Sequence, residues 1–247
     1  MRKALLDARE TAGHAVWQSG TIDIDLKTGF AMKIHDKLPQ APLSPIYLSL
    51  RPDGVKGGKL QPEHLDKIGS AMSLMTIQQG GLFKKDTYTW VAGIPAAGEP
   101  ILDAMIRTIG SRRSKRIRSF KLRKEESVNG HRIAGIHPDD DGLVPAGEND
   151  SHILVDDLMS NMETKLEAVQ AVKDYGAGIN CILLFLDRSV QGIPKLSSSY
   201  SIRTLAVWEF NQLLEFGLAH GYIKRTVYEQ IIEYPKQLEK YKAQHAA

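Results

Sequence analysis

Strand-like and helix-like segments alternate through the middle of this chain, and this alternation narrows its possible folds more than any other feature. Residues 88–95, 151–157 and 180–188 read as strands, and residues 99–110 and 163–175 read as helices. Successive βαβ units of this kind favour a parallel sheet with right-handed crossovers. The run CILLFL in the last of these strands is apolar throughout, which is typical of a strand covered on both faces. The sequence therefore predicts an α/β domain.

The segments on either side of this core predict an N-terminal accessory portion and a set of C-terminal helices. Residues 3–18 have helical periodicity, and the short runs TIDIDL, FAMKIH and SPIYLSL read as strands. Near the other end, SIRTLAVWEFNQLLEFGLAHG and RTVYEQIIEYPKQLEKYKAQ read as helices. No internal repeat or low-complexity linker divides the chain. We expect a single domain with an N-terminal helix and strands at 1–60, the core sheet at 61–200 and helices at 201–247.

Composition and charge exclude several classes of protein. The 247 residues include 32 Lys and Arg against 29 Asp and Glu, and the net charge of +3 is too small to indicate a nucleic-acid partner. Cationic residues do cluster in SRRSKRIRSFKLRK (111–124), which reads either as a solvated edge strand and loop or as part of a binding surface, and RIRSFKLRK within it reads as a strand. The single Cys181 excludes an internal disulfide, and its place in an apolar run predicts that it fills the core. No apolar run is long enough to cross a bilayer. The N-terminus lacks the apolar segment of a signal peptide, so we expect a cytoplasmic protein.

Two adjacent carboxylates, Asp156 and Asp157, end the predicted strand SHILVDD and precede a short loop and a helix. Ligands of parallel sheets bind where the carboxyl ends of the strands meet, and here those ends read AGIPAAG, LVDD and LFLDR. Ionised carboxylates accept hydrogen bonds from diol hydroxyls and can hold a hydrated Mg²⁺. The alternative interpretation is that the two acids only cap the strand.

Six segments of the chain follow the order found in orotate phosphoribosyltransferases, and the chain resembles that family from about residue 20 to residue 235. They read LKTG (26–29), SPIYLSLR (44–51), WVAGIPAAGEPI (90–101), LRKEESVNG (122–130), ILVDD (153–157) and LFLDRSVQG (184–192). The resemblance implies a type I phosphoribosyltransferase fold, a parallel sheet flanked by helices with a flexible loop, a small N-terminal hood and C-terminal helices. It also implies a homodimeric enzyme of pyrimidine biosynthesis that uses Mg²⁺ and phosphoribosyl pyrophosphate to convert orotate into its nucleotide.

The resemblance assigns roles to residues at the strand ends. Asp156 and Asp157 would hold the ribose hydroxyls and, through the sugar or water, the metal. Arg188 would bind the carboxylate of the base, and its structural alternative is an ion pair with Asp187 or Asp157. Lys124, as a catalytic residue, and Arg123 would reach the pyrophosphate, unless both belong to a basic surface edge. Further candidate substrate-binding residues are Lys27, Ser160, Thr164 and the small residues Ala96, Ala97 and Gly98.

The loop after Lys124 departs from the family pattern. The family usually reads E-x-K-x-[HY]-G there, whereas this chain reads EESVNG, with Ser127 in place of the lysine and Asn129 in place of the aromatic residue or histidine. Losing one donor to developing negative charge costs on the order of a hundredfold in rate. His131 or Arg132 is the candidate substitute.

The phosphate loop departs as well, since the family pattern D-D-x-x-T-x-G-x-[ST] corresponds here to DDLMSNMET. Met162 replaces the glycine, and the spacing of Ser160 and Glu163 predicts a capping box that takes up the amides at the helix start. A carboxylate at that point opposes a phosphate by roughly 4 kcal/mol per unit of charge at about 4 Å and an effective dielectric near 20. The alternatives are that Glu163 points to solvent or that Lys165 offsets it.

Three hypotheses for function follow. The first is Mg²⁺-dependent transfer of phosphoribosyl from phosphoribosyl pyrophosphate to a pyrimidine base such as orotate, which the retained acids and Arg188 favour. The second, favoured by the altered loops, is a catalytically silent relative that binds a base or nucleotide as a regulator or acts as a dimeric partner. The third is a transferase with a different sugar donor or acceptor.

The acidic segment HPDDDGLVPAGEND (137–150) reads as a solvated insertion or a metal-binding loop. None of the hypotheses includes a nucleic-acid or membrane partner.

Overall fold

The computed structural model of the chain describes residues 2–79, 88–109, 117–127, 130–137, 151–160, 162–189 and 192–245. Within them the α-helices are α1 (Arg2–Gln18), α2 (Pro62–Gln78), α3 (Gly98–Thr108), α4 (Glu163–Asp174), α5 (Gly192–Tyr200), α6 (Phe210–Ala219) and α7 (Arg225–His245). The strands are β1 (Ile22–Ile24), β2 (Ile46–Leu48), β3 (Thr89–Gly93), β4 (Ile117–Ser119), β5 (Leu122–Ser127), β6 (Gly130–Ile136), β7 (Ser151–Met159), β8 (Cys181–Asp187) and β9 (Arg203–Glu209). In this part of the chain no helix is both long enough and apolar enough to cross a membrane.

The core of the molecule is a five-stranded sheet in the order β4-β3-β7-β8-β9, in which every neighbouring pair is parallel. Successive side chains of a strand point to opposite faces. Val155 and Leu183 therefore pack with α1, α2, α3 and α6, while Leu154 and Ile182 pack with α4 and α5 on the other face. Both faces are covered, which explains the apolar run in β8. The predicted α/β fold with a parallel sheet flanked by helices is confirmed.

The N-terminal hood consists of β1, β2 and the segment that continues to Leu60. Its two strands pair antiparallel and pack against α6 and α7 through Ile46, Leu214 and Ile231. The predicted strands TIDIDL and SPIYLSL are thus confirmed in part of their length, but the predicted strand FAMKIH is wrong. There Phe30 forms an isolated bridge, and Lys33–Asp36 is a 3-10 helix whose start is held by the His35 ring, which accepts a hydrogen bond from the Met32 N–H at 2.8 Å.

Part of the predicted C-terminal helical segment is instead a strand. Arg203–Glu209 forms β9 at the edge of the central sheet, with Cys181 opposite Arg203 and Asp187 opposite Glu209. Thr204, Val207 and Trp208 suit a half-buried pleated surface, and β8 supplies the backbone partners that the segment needs. The helical prediction is correct only from Phe210 onward.

The basic segment 111–124 is described from Ile117 on, and the predicted single strand RIRSFKLRK divides in two. β4 joins β3 in the central sheet, whereas β5 pairs antiparallel with β6, and the register shifts between Arg123 and Lys124, opposite Ala134 of β6. This hairpin rests on α4, because Ile133 is buried and its N–H donates to Glu167 Oε2 at 3.1 Å. The flexible loop implied by the resemblance therefore corresponds to a hairpin that contacts α4.

Cys181 begins β8 and is fully buried. Burial raises the pKa of its thiol to about 12. The prediction that this residue fills the core is confirmed.

Candidate active site

A cavity of about 590 Å³ opens at the carboxyl edge of the central sheet. Its walls come from the ends of β3, β7 and β8, from hood residues between Tyr47 and Lys56, and from the β5–β6 hairpin. Most of the predicted site residues line it, namely Ala96, Ala97, Lys124, Asp156, Asp157, Ser160, Thr164 and Arg188. Lys27, Arg123 and Gly98 do not. The fold therefore brings residues from four separate sequence segments to one ligand-sized space.

The acid pair, Asp156 and Asp157, lies within β7 rather than in the loop after it, since the strand continues to Met159. Asp156 is buried, and its Oδ1 accepts a hydrogen bond from the Asp157 N–H at 2.9 Å. Asp157 is half-buried, and its Oδ1 accepts one from the Leu158 N–H at 2.7 Å. Regular strand backbone thus fixes both carboxylates at the cavity wall.

Lys165 forms a buried ion pair with Asp156. Its Nζ lies 2.6 Å from Asp156 Oδ2, and the two side chains are only 8% and 6% exposed. The same ammonium donates to the Leu158 carbonyl oxygen at 2.7 Å. Lys165 lies on the same face of α4 as the buried residues Ala168, Val169 and Val172. A lysine at a helical position where the pattern calls for an apolar residue was the feature of the sequence that indicated this contact.

The carboxyl group of Asp157 is hard to ionise in the ligand-free site. Burial raises its pKa well above the ordinary value, the neighbouring Asp156 raises it further, and the Lys165 ammonium opposes both effects. A ligand that donates hydrogen bonds or positive charge to Asp157 favours the ionised form. The acid pair is therefore suited to hydroxyl groups or a cation.

The predicted capping box at the start of α4 is wrong. The N-cap residue is Met162, in a helical backbone conformation and without a side-chain capping hydrogen bond. Ser160 lies two residues earlier because β7 runs on to Met159, and this places its hydroxyl outside the N-cap position. Glu163 is exposed, whereas Ser160 and Thr164 line the cavity. Asn161 lies outside the described residues.

The turn after β3 lies directly against β7. The Ile94 N–H donates to the Val155 carbonyl oxygen at 2.8 Å, and the Gly98 N–H donates to the Ile94 carbonyl oxygen at 2.9 Å. A Cβ atom at Gly98 would overlap the carbonyl oxygen of Val155. Gly98 therefore does not line the cavity but permits the close approach that sets Ala96 and Ala97 beside the acid pair.

Replacing Gly98 with alanine is expected to lower the free energy of unfolding by about 1–3 kcal/mol, because the turn must move away from β7 to relieve the overlap. Thermal and urea unfolding of the variant measure this change. Gly178→Ala is the matched control, since nothing lies within 4 Å of a Cβ added there. Equal stability of the two variants would contradict the close approach.

Arg188 directly follows β8 and places a cation in the wall of the cavity. Its guanidinium lies 5.3 Å over the Phe210 ring, and its backbone N–H donates to the Met159 carbonyl oxygen at 2.8 Å. Burial lowers the pKa of Arg188, which the nearby Tyr234 and Tyr47 hydroxyls oppose. Arg188 forms no ion pair with any residue in the described ranges, and Asp187 instead accepts hydrogen bonds from the Ser189 N–H and hydroxyl at 2.9 and 2.6 Å. The structural alternative for Arg188 is thus wrong, and a half-buried guanidinium is left for an anionic ligand.

The two predicted hairpin cations separate in the structure. Lys124 lines the cavity, whereas Arg123 Nη1 pairs with Glu125 Oε1 at 2.6 Å. Arg132, the candidate substitute for the missing lysine, lies 3.6 Å from the other Glu125 oxygen and does not line the cavity. Asn129 and the side chains of Ser127 and His131 lie outside the described residues.

Two hood cations line the cavity although no role was predicted for them. Arg51 and Lys56 lie in its wall, and Arg51 Nη1 donates to the Lys56 carbonyl oxygen at 3.1 Å. Arg51 is the last residue of the segment SPIYLSLR, and its position after a predicted strand was the feature of the sequence that could have indicated a role in the site. Lys27, by contrast, is exposed in a turn where Asp25 Oδ1 accepts hydrogen bonds from the Lys27 and Thr28 N–H groups at 2.9 and 3.0 Å.

The carboxylates of this site fit a magnesium ion that is held chiefly by its ligand. Among the described residues, no three His, Cys, Asp or Glu side chains come together as a metal site. Mg²⁺ is commonly bound by one or two carboxylates, several waters and the phosphates of the substrate. Asp157 meets that requirement, while Asp156 already pairs with Lys165. The acidic segment 138–150, the other candidate metal site, lies outside the described residues.

The parallel sheet, the hood, the hairpin and an acid pair at the carboxyl edge define a type I phosphoribosyltransferase fold. Among solved structures, UMP synthase of Leishmania donovani superposes with a TM-score of 0.64 at 19% identity, over 92% of this chain and 42% of that chain, so this chain matches less than half of it. Orotate phosphoribosyltransferase of Francisella tularensis gives 0.60 at 16% identity, over 91% and 93% of the two chains. The Mycobacterium tuberculosis H37Rv enzyme of that name, in complex with 5-phospho-alpha-D-ribosyl 1-diphosphate, gives 0.50 at 16% identity, over 84% and 92%.

Sequence comparison points to the same class. No protein-family model matches the chain. A curated orotate phosphoribosyltransferase from Hahella chejuensis (strain KCTC 2396) is 25% identical over 153 residues, which are 60% of this chain and 67% of that protein. The predicted resemblance to the orotate phosphoribosyltransferases and to their fold is confirmed.

Proposed function

We propose that the protein transfers the phosphoribosyl group of phosphoribosyl pyrophosphate to a pyrimidine base such as orotate. A base nitrogen forms a bond to the anomeric carbon, and the bond from that carbon to the pyrophosphate oxygen breaks, so that pyrophosphate leaves with the electron pair. The observation that carries this proposal is a single cavity lined by the acid pair and by a half-buried Arg188 that has no carboxylate partner among the described residues. The names of the sequence relative and of the superposed structures support it.

The acid pair is the proposed site for the ribose. The ionised Asp157 carboxylate has oxygens left to accept hydrogen bonds from sugar hydroxyls, since its Oδ1 takes one backbone N–H. Ser160 and Thr164 supply hydroxyl donors on the same side of the cavity, next to the start of α4, where helix amides favour anions. This arrangement favours a sugar that carries both a diol and a phosphate.

Magnesium is proposed to arrive with the pyrophosphate and to be held by Asp157 through the sugar or water. When bound, the ion neutralises charge on the leaving group. Lys124, Arg51 and Lys56 also line the cavity, and their positive charges stabilise the negative charge that develops on the pyrophosphate as it leaves. The Ala96–Ala97 turn leaves room for the pyrophosphate to approach the backbone.

Arg188 is the proposed site for the base. A planar guanidinium forms a bidentate contact with a carboxylate, and orotate carries one on a flat ring. The Phe210 ring lies beneath the guanidinium and supports it, and Tyr47 lines the cavity near the arginine. The resemblance further implies a homodimer, which we include in the proposal.

A second candidate function is a regulator that binds a base or nucleotide without turnover. The hairpin favours this function, because Glu125 pairs with both Arg123 and Arg132. Among the described residues of the hairpin, Lys124 is then the one cation that lines the cavity. Such a protein would keep the Arg188 and acid-pair contacts but lack rate enhancement.

Calorimetric titration with phosphoribosyl pyrophosphate and Mg²⁺, followed by orotate, tests the proposal together with an assay of pyrophosphate release. We expect the sugar pyrophosphate to bind and Asp157→Asn to weaken it at least tenfold, because the amide offers one acceptor oxygen and no charge. Asp174→Asn, at the far end of α4, is the matched control and should bind as the wild type does. Orotate binding without any release of pyrophosphate would favour the regulator, and no heat with either ligand would reject both functions.

A further inference from the structure

The hood strand β2 and the residues that follow it present alternate side chains to the cavity. Tyr47, Ser49 and Arg51 all line it, which is the alternation that a strand produces. Backbone pairing continues past the end of β2, because the Ser49 N–H donates to the Thr21 carbonyl oxygen at 3.1 Å. The next residue, Leu50, is fully buried in the core. The pairing within the hood therefore fixes Ser49 as a wall residue of the cavity.

The Ser49 hydroxyl is buried and lacks a hydrogen bond. The residue is 7% exposed, and its Oγ has no partner among the residues that the structure describes. A buried hydroxyl without a partner costs free energy, and most buried polar groups avoid that cost through a hydrogen bond. Ser44, in the same hood, does so by donating to the Ile46 carbonyl oxygen at 2.7 Å. An unsatisfied hydroxyl in a cavity wall is thus a group that a ligand can satisfy.

Ser49 lies between two parts of the cavity wall that suit different parts of the substrates. Tyr47, two residues before it, lies near Arg188, the proposed site for the carboxylate of the base. Arg51, two residues after it, donates to the Lys56 carbonyl oxygen, and both cations are proposed to stabilise the pyrophosphate. At about 3.3 Å per residue, Tyr47 and Arg51 each lie roughly 7 Å from Ser49 along the chain. A flat ring whose carboxylate binds Arg188 therefore extends toward Ser49.

We propose that Ser49 is a specificity-determining residue whose hydroxyl donates a hydrogen bond to a ring carbonyl oxygen of the base. The inference deepens the proposed function and rests on it, because Arg188 binds any flat carboxylate whereas Ser49 selects among them. The substrate class is then a six-membered nitrogen heterocycle that carries both a carboxylate and a ring carbonyl. A hydroxyl also accepts a hydrogen bond, so a ring N–H beside the carbonyl suits the same group. A carboxylated ring without a carbonyl leaves the hydroxyl unpaired and binds more weakly.

Ligand-free stability separates this role from a structural one. Removing a hydroxyl that contributes to folding makes a protein less stable, whereas removing an unpaired buried one is neutral or stabilising. We therefore expect Ser49→Ala without ligand to melt at or above the melting temperature of the wild type. Thr204→Val is the matched control, because Thr204 Oγ1 is also buried and unpaired among the described residues but lies on β9, outside the cavity lining.

Calorimetric titration with orotate and with pyrimidine-4-carboxylate, which is the same carboxylated ring without the carbonyls, tests the inference. For the wild type we expect tighter binding of orotate. Ser49→Ala should weaken orotate binding about five- to tenfold, since one hydrogen bond is lost, and leave pyrimidine-4-carboxylate within about twofold. Thr204→Val should bind both as the wild type does. Ser49→Cys, which replaces the hydroxyl with a weaker donor, should bind orotate more weakly than the wild type and at least as tightly as Ser49→Ala.

An equal loss for the two ligands, or no loss for orotate, overturns the inference. A ligand-free Ser49→Ala that is markedly less stable than the wild type or does not fold overturns it as well, because the hydroxyl then supports the structure. Where pyrimidine-4-carboxylate binds too weakly for calorimetry, phosphoribosyl pyrophosphate with Mg²⁺ takes its place as the ligand whose affinity must stay within about twofold.

An assay of nucleotide formation judges the proposed function separately. A wild type that forms orotate nucleotide, together with a Ser49→Ala variant that binds orotate equally well, overturns the inference and leaves the function standing. Orotate binding that depends on Ser49 without any nucleotide formation supports the inference and rejects the transferase. If orotate does not bind and no nucleotide forms, both are rejected.

Discussion

Lys165→Met is expected to lower the free energy of unfolding by about 3–5 kcal/mol, because it leaves the Asp156 carboxylate buried without its charge partner. The two side chains are 8% and 6% exposed, so water cannot replace the lost ammonium. For a domain of this size each kcal/mol shifts the melting temperature by about 2–4 °C. Urea unfolding followed by circular dichroism gives the free energy, and a thermal scan gives the shift.

An exposed ion pair of the same chemistry serves as the control for this effect. Lys236 Nζ lies 2.9 Å from Glu233 Oε2 on α7, and these side chains are 71% and 50% exposed. Lys236→Met should change the free energy of unfolding by less than about 1 kcal/mol. Asp156→Asn/Lys165→Met should recover most of the stability, because no buried charge is then left alone. If Lys165→Met were as stable as Lys236→Met, the Asp156 carboxylate would not be buried as described.

Arg188→Gln is expected to weaken orotate binding about 30-fold or more while it leaves the affinity for phosphoribosyl pyrophosphate within about threefold. Removing one partner of a buried charge pair costs about 2–5 kcal/mol, and every 1.4 kcal/mol is about tenfold in affinity. The loss falls on the base because Arg188 lies at the end of β8, beside Phe210, whereas the proposed sugar contacts lie on β7 and α4. Separate titrations with each ligand measure the two affinities.

The ligand itself offers the sharper control for Arg188. Uracil is the same ring without the carboxylate, and its affinity should be nearly equal for wild type and Arg188→Gln. Arg107→Gln, at an exposed guanidinium that pairs with Asp66 at 2.6 Å on the outer side of α3, controls for a general loss of positive charge. An equal loss for orotate and uracil would mean that Arg188 supports the shape of the cavity instead of binding the carboxylate.

The central sheet was predictable because burial on both faces leaves a direct mark on the sequence. β8 is apolar from Cys181 to Leu186, and each of those residues is buried. Polar residues that interrupt such runs mark the carboxyl edge, so the places of Asp157 and Arg188 could be inferred from the ends of two strands. The eight predicted residues that line the cavity all lie at strand ends, at the start of α4 or in the hairpin. Their individual roles stay predictions.

The errors came where a distant partner decides the local structure. β9 has apolar residues that also suit a helix, and only its pairing with β8 makes it a strand. The capping box between Ser160 and Glu163 failed because β7 extends to Met159 and moves the helix start to Met162. The contact of Lys165 with Asp156 joins residues nine positions apart through a loop, and spacing alone does not specify how that loop folds back.

The position of Cys181 makes the molecule convenient for optical and magnetic probes. Thiol reagents attack the thiolate, and a side chain that is wholly inside the protein with a pKa of about 12 is almost never in that form near neutral pH. A cysteine placed at the exposed Glu126 on the hairpin would then be the one reactive sulfur. A fluorophore or spin label attached there reports changes in the surroundings and mobility of the hairpin as ligands enter, with the native sequence otherwise intact.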